Sequence, residues 1–328
     1  MFRWLLLSLI VLLLVGCSDS ESTNPSAKYQ YSDALVLRGQ LSHDGKQLAL
    51  VIEGPNLALW DTTSKQVLMS LSETQLPEQI RALVFHKPTK QLLVAGDDLV
   101  QFWNTPNGTL QGTLSVSGVD ELARVSQLAV SDNGSLVAIG FTDGSVSIAN
   151  RNTEKMNQFM PHSSNVIAIH IIEDRLMIVT GSHDGVVNAW NLQTGQSYYQ
   201  QEYTSRLSSV SVSDERDKIF VADSLKTQQV LAVDDGQVLN ELEYITRFKW
   251  FRQSLFIPKT SLLITSTPKS ELSIWDTSSG KEKFSWQIDT HSLGTTLLDM
   301  VIVDDTLLTL NSEGVVESWT LSKMIADL

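Results

Sequence analysis

The chain has 328 residues, of which 24 are Lys or Arg and 37 are Asp or Glu, giving a formal net charge of −13 at pH 7. That balance disfavours nucleic acid and anionic lipid surfaces as partners, because a basic patch would have to overcome the acidic field of the rest of the molecule. With Cys17 as its one cysteine the chain forms no internal disulfide, so its stability must come from core packing.

Trp4 to Val15 is apolar apart from Ser8, and Gly16-Cys17 follows. This run is short against the roughly 20 residues of a membrane-spanning helix, and Arg3 puts a positive charge ahead of it, so residues 1–16 read as a signal peptide. Leu14-Val15-Gly16-Cys17 resembles the lipobox of bacterial lipoproteins. The resemblance implies cleavage before Cys17, acyl chains such as palmitate on that residue, and stable membrane attachment through more than one chain. Ser18, where Asp would be the retention signal, resembles the pattern sent to the outer membrane of Gram-negative bacteria, which implies a protein facing the periplasm. Residues 17–28 are mostly Ser, Asp, Glu, Asn and Pro, with little to bury, and are expected to form a disordered tether.

From Tyr29 onward one pattern recurs. Leu35 to Leu37, Gln47 to Ile52 and Leu57 to Trp60 are strand-like runs, the first two parted by the turn Ser42-His43-Asp44-Gly45. The second unit carries Ile80 to Phe85, Gln91 to Ala95 and Leu99 to Trp103; the third, Ser126 to Val130, Leu136 to Gly140 and Val146 to Ala149. In the fourth, Val166 to Ile171, Arg175 to Thr180 and Val186 to Trp190 surround Asp184-Gly185, a pair that favours a tight hairpin because it tolerates positive φ. The fifth unit is the most divergent, with Asp223 to Thr227 where Asp-Gly is expected. The sixth opens on Phe248-Lys249-Trp250-Phe251, and the seventh runs from Thr296 to Trp319.

Trp60, Trp103, Ala149, Trp190, Val233, Trp275 and Trp319 mark successive unit ends, at spacings of 43, 46, 41, 43, 42 and 44 residues. A repeat of this length, built from short strands and ending in an aromatic followed by a short polar residue, resembles the WD40 family, whose units are four-stranded blades. The resemblance implies an all-β, seven-bladed β-propeller of antiparallel four-stranded blades over residues 29–328. Such a ring folds as one domain, because each unit hides its apolar faces only against the next. Two closures stand open: Tyr29 to Ala34 completes the last blade, or Leu321 to Leu328 gives that blade its own outer strand. Where Ala149 replaces the marker aromatic, a neighbour must fill the volume or a void remains.

The same resemblance implies a structural hydrogen-bond network of His162, Thr180, Asp184 and Trp190, with fragments at Asp143 and at His291 with Trp319. Other chemistry is sparse. The six histidines are scattered, with no His-x-x-x-His pair, phosphate loop or Gly-x-Ser-x-Gly elbow. Asp97-Asp98, Asp234-Asp235 and Asp304-Asp305 each offer two carboxylates, against the about six to eight oxygens of a calcium site. No catalytic residue, metal or cofactor is expected.

Binding is what remains. The reading is a non-enzymatic protein-interaction scaffold of the bacterial envelope, membrane-attached through lipidated Cys17, with an envelope protein or peptide as partner. Phe248, Trp250, Phe251 and Trp286 are candidate aromatic anchors, with packing inside the sixth unit as the competing role. The alternatives are a ligand sensor or enzyme with a loop-built site at the channel mouth, and a binder of cell-wall or polysaccharide material.

Overall fold

The computed structural model describes residues 24–54, 56–243 and 250–326. The apolar run and Cys17 lie outside them. The described residues form seven four-stranded antiparallel sheets. With the sheets numbered as blades 1 to 7 and their strands a to d from the centre outward, the order is sequential within six of them, as short hairpin connections dictate; the seventh takes its outer strand from the N-terminal segment.

The innermost strands are Val36–Leu41, Ala82–His86, Val125–Val130, Val166–Ile172, Leu207–Val212, Gln253–Phe256 and Leu297–Val303. Each lies beside the next, and that of blade 7 lies beside that of blade 1, so the ring is closed around a central channel. The molecule is a seven-bladed β-propeller.

Its b strands show why simple alternation fails as a sequence signal. Gln91–Ala95 and Leu136–Phe141 are buried along their whole length, because a neighbouring blade covers each face.

Closure uses the N-terminal segment. Ala27–Gln30 pairs antiparallel with Val315–Ser318 as the outer strand of blade 7. Tyr31 continues the seam: its ring meets Trp60 edge-on at 5.5 Å, and its hydroxyl donates to the Thr62 carbonyl at 3.2 Å, tying the closing segment to blade 1. The strand starts at Ala27, so Ala27 and Lys28, assigned above to the tether, belong to the ring.

Leu321–Ile325 is a short helix rather than a second outer strand. The edge it would need is occupied by Ala27–Gln30, and its Leu321 and Met324 instead bury against blades 6 and 7. Asp305 fixes its start, accepting from the Ser322 amide at 2.7 Å.

Each marker side chain packs toward the preceding blade. Trp190 meets Phe159 at 5.2 Å, Trp275 meets Phe251 at 5.8 Å, and Trp319 meets Trp286 at 5.8 Å. The two substituted markers are handled differently. Beside Val233, Tyr199 of blade 4 reaches across and donates its hydroxyl to the Val233 carbonyl at 2.7 Å. Beside Ala149, the residue of blade 2 at the register of Tyr199 is Gly112, and a cavity of about 290 Å³ remains.

Candidate interaction site at the channel mouth

The strongest polar network sits in blade 4. The Trp190 indole N–H donates to Thr180 Oγ1 at 3.0 Å. Thr180 Oγ1 lies 2.8 Å from His162 Nε2, and His162 Nδ1 lies 3.2 Å from Asp184 Oδ2. A neutral imidazole protonated at Nδ1 satisfies every link: it donates to Asp184 and accepts from the hydroxyl. Burial alone would push the Asp184 carboxyl up. Hydrogen bonds from His162 and from the Ser163 and Val186 amides outweigh that effect and hold it below the usual carboxylate range.

Blades 6 and 7 keep the inner half of this chain, with Trp275 donating to Thr265 at 2.8 Å and Trp319 donating to Thr309 at 3.1 Å. His291 does not join Trp319. Its side chain is 63% exposed and turns to Glu313, with 3.0 Å from Nδ1 to Oε2, because the longer Glu313 carboxylate reaches out to cap the His291 and Ser292 amides. Asp143 likewise closes a turn, accepting from the Asp120 and Ser145 amides.

Two of the four candidate anchors are interior. Phe251 and Trp286 are each 1% exposed, wedged against Trp275 and Trp319 in the seams between blades, so neither presents an aromatic surface. Trp250 is half-buried, and Phe248 lies outside the described residues. The acidic pairs have structural work: Asp97 bonds Arg81 and Arg124, Asp234 pairs with Arg175, and Asp305 caps the terminal helix. Among the described residues, no three His, Cys, Asp or Glu side chains gather as metal ligands would.

The largest concentration of unassigned chemistry is at the end of the channel where the a strands begin. A cavity of about 610 Å³ opens there, walled by blades 1, 2, 3, 6 and 7. Its charged lining is Arg38, Arg81, Arg252 and Asp299. The strand geometry explains their convergence: all the a strands start at this face, so residues near each start meet around the axis although they are far apart in sequence.

Arg81 Nε bonds Asp97 Oδ1 at 2.5 Å, and Asp97 Oδ2 also holds Arg124 at 3.4 Å, so two guanidinium groups share one carboxylate. Among the described residues Arg38 bonds only main-chain carbonyls, those of Leu37 at 2.9 Å and Arg81 at 3.5 Å. Arg252 makes no ion pair among the described residues. Its pKa lies below the usual arginine value through burial and the nearby charge of Arg38. Asp299 lies deeper, where desolvation pushes its carboxyl up to about 7 despite hydrogen bonds from the Leu41 and Met300 amides.

Sequence reading missed this cluster. Its signal was the recurrence of Arg38, Arg81 and Arg124 at intervals of 43 residues, the length of a blade.

This is a closed seven-bladed β-propeller with a basic, loop-rimmed channel mouth. The family model for the WD domain, G-beta repeat, matches residues 153–191, the stretch that ends in Trp190-Asn191. The chain is similar to Protein FIZZY-RELATED 3 of Arabidopsis thaliana, 26% identical over 158 residues, covering 46% of this chain and 31% of that one. It is also similar to Actin-interacting protein 1 of Drosophila melanogaster, 26% identical over 47% of this chain and 25% of that one. Angio-associated migratory cell protein of Canis lupus familiaris is 22% identical over 56% of this chain and 47% of its own. The chain thus spans between a quarter and a half of the length of these relatives. A chain in the crystal structure of a mitotic checkpoint complex superposes with a TM-score of 0.75 at 17% identity, over 97% of this chain and 98% of that one, a likeness of fold.

Proposed function

We propose that the protein is a protein-interaction scaffold of the bacterial cell envelope, attached to the outer membrane through acylated Cys17 and facing the periplasm. The observation that carries the scaffold reading is the channel mouth, where segments of five blades surround a cavity of about 610 Å³ on a rigid closed ring. A rigid body that gathers loops from many blades onto one face can hold a partner without reorganising, which keeps the entropic cost of association low. The relatives named above support this reading: one is named for interacting with actin, and the checkpoint chain was crystallised within a complex. The envelope placement rests on Leu14-Val15-Gly16-Cys17 and Ser18.

The test is capture from detergent-solubilised envelopes with the tagged full chain. A stoichiometric protein partner is expected. No partner, together with a saturable thermal shift from a small metabolite, would replace the scaffold with a ligand sensor at the same mouth, for which the cavity is of suitable size, about 300–1,000 Å³. For the anchor, Cys17→Ser is expected to move the protein from the membrane to the soluble fraction.

A further inference from the structure

We infer that the channel mouth between Arg38 and Arg252 is an anion site that receives a carboxylate-bearing segment of a partner polypeptide. The inference rests on the scaffold reading and names the chemistry of what the scaffold holds.

Two arginines at the opposite end of the ring are neutralised by carboxylates: Arg175 pairs with Asp234, and Arg216 pairs with both Asp132 and Asp174. Arg151 there bonds the Gln91 side chain and the Gly134 carbonyl. At the mouth the pattern reverses. Arg38 and Arg252 face one cavity, within each other's field and with no carboxylate partner among the described residues, while Arg81 and Arg124 divide one carboxylate between them. Bringing like charges into a partly desolvated cavity costs energy, and a bound anion between them reverses the sign of that term. The guanidinium fork suits a carboxylate in particular, since two parallel N–H donors match its two oxygens.

Asp299, the one acidic group of the cavity lining, spends its oxygens on main-chain amides and does not compete. The net charge of −13 narrows the occupant further. An extended polyanion would run out over an acidic surface. A short acidic segment or a chain end needs only the mouth, because charges beyond about 8 Å are screened at physiological salt.

The experiment uses the full chain in detergent with a fluorescent eight-residue peptide of alternating Glu and Ala, its Gln-Ala counterpart, and a polyuronate oligosaccharide, read by anisotropy and competition. The Glu peptide is expected to bind saturably and at least tenfold tighter than the Gln peptide. Arg38→Gln with Arg252→Gln is expected to lose at least tenfold, while Arg175→Gln on the far face binds unchanged. Melting curves of the double variant are expected to match or exceed the parent, since repulsion is relieved. Equal binding by the double variant overturns the site, as does no Glu-peptide binding. Uronate binding without peptide binding assigns the mouth to polysaccharide and overturns the inference. If the double variant loses the peptide yet still captures its envelope partner, the scaffold stands and the contact lies elsewhere, which also overturns it. Peptide binding that depends on both arginines, without any captured partner, keeps the anion site while the scaffold fails.

Discussion

Ala149 and Gly112 line the same cavity across the seam between blades 2 and 3, two small residues where the other seams place at least one large side chain. At the matching positions Met69 accompanies Trp103, and Tyr199 covers Val233. Arg151 leans over the opening, its guanidinium 4.7 Å from the centre of the Phe102 ring, and covers part of what an indole would have filled.

Filling this seam should stabilise the ring. A Cβ on Gly112 would meet no atom within 4 Å, and Gly→Ala at such a site is worth about 0.5–1 kcal/mol, mostly by restricting the unfolded chain. Adding Ala149→Leu should contribute about 1–2 kcal/mol more through buried apolar area. Urea unfolding measures both; a fall in the midpoint would mean that Arg151 needs the space to hold its stack.

Thr180→Val should cost about 2–3 kcal/mol, because it strips partners from both the Trp190 indole N–H and His162 Nε2 inside the sheet. Thr309→Val removes only the bond from Trp319 and should cost about 1–2 kcal/mol. The ranking is the readout. Equal losses would show that His162 adds nothing to the network.

Glu317 gives the stability a pH dependence. It is buried in strand c of blade 7, and burial pushes its carboxyl up to about 7 from an ordinary value of 4.5. Between those two values the folded chain keeps a proton that the unfolded chain has released, so stability falls as pH rises through this window and levels off above it. Asp299 acts in the same direction. Glu317→Gln retains an acceptor for the Asp289 amide and should be neutral at pH 4.5 but stabilising by about 2 kcal/mol at pH 8. Parallel melting-temperature profiles of parent and variant would refute this.

Tyr31→Ala should cost about 3 kcal/mol, as expected for a buried aromatic that packs on Trp60. Tyr31→Phe should lose only the hydroxyl bond to Thr62, about 1 kcal/mol. Calorimetry on the two variants separates packing from hydrogen bonding at the seam.

The number of blades was legible because marker positions repeat at the length of one blade and five of the seven carry a tryptophan. Closure was not. Ala27–Gln30 is exposed along its length, so an edge strand that buries nothing leaves no apolar period to read. Phe251 and Trp286 stood open between anchor and core for a related reason: composition shows an aromatic but not what covers it, and the fold packs Phe251 against Trp275 of its own unit and Trp286 against Trp319 of the next blade. The basic mouth was hidden because its members sit near one face only after the ring closes. Offsets of one or two residues in the bulged a strands also blur their alignment.

The pairing of Ala27–Gln30 with blade 7 sets an order of events during biosynthesis. Ser26 and its partner Ser318 are 292 positions apart, so this segment waits for a partner that is synthesised far later. Until the two pair, strand c of blade 7 presents a bare edge, the kind of surface on which nascent chains pair with one another. Ring completion is thus a late, topologically distant step, and the interval before it is when this protein most needs to be kept apart from its own copies.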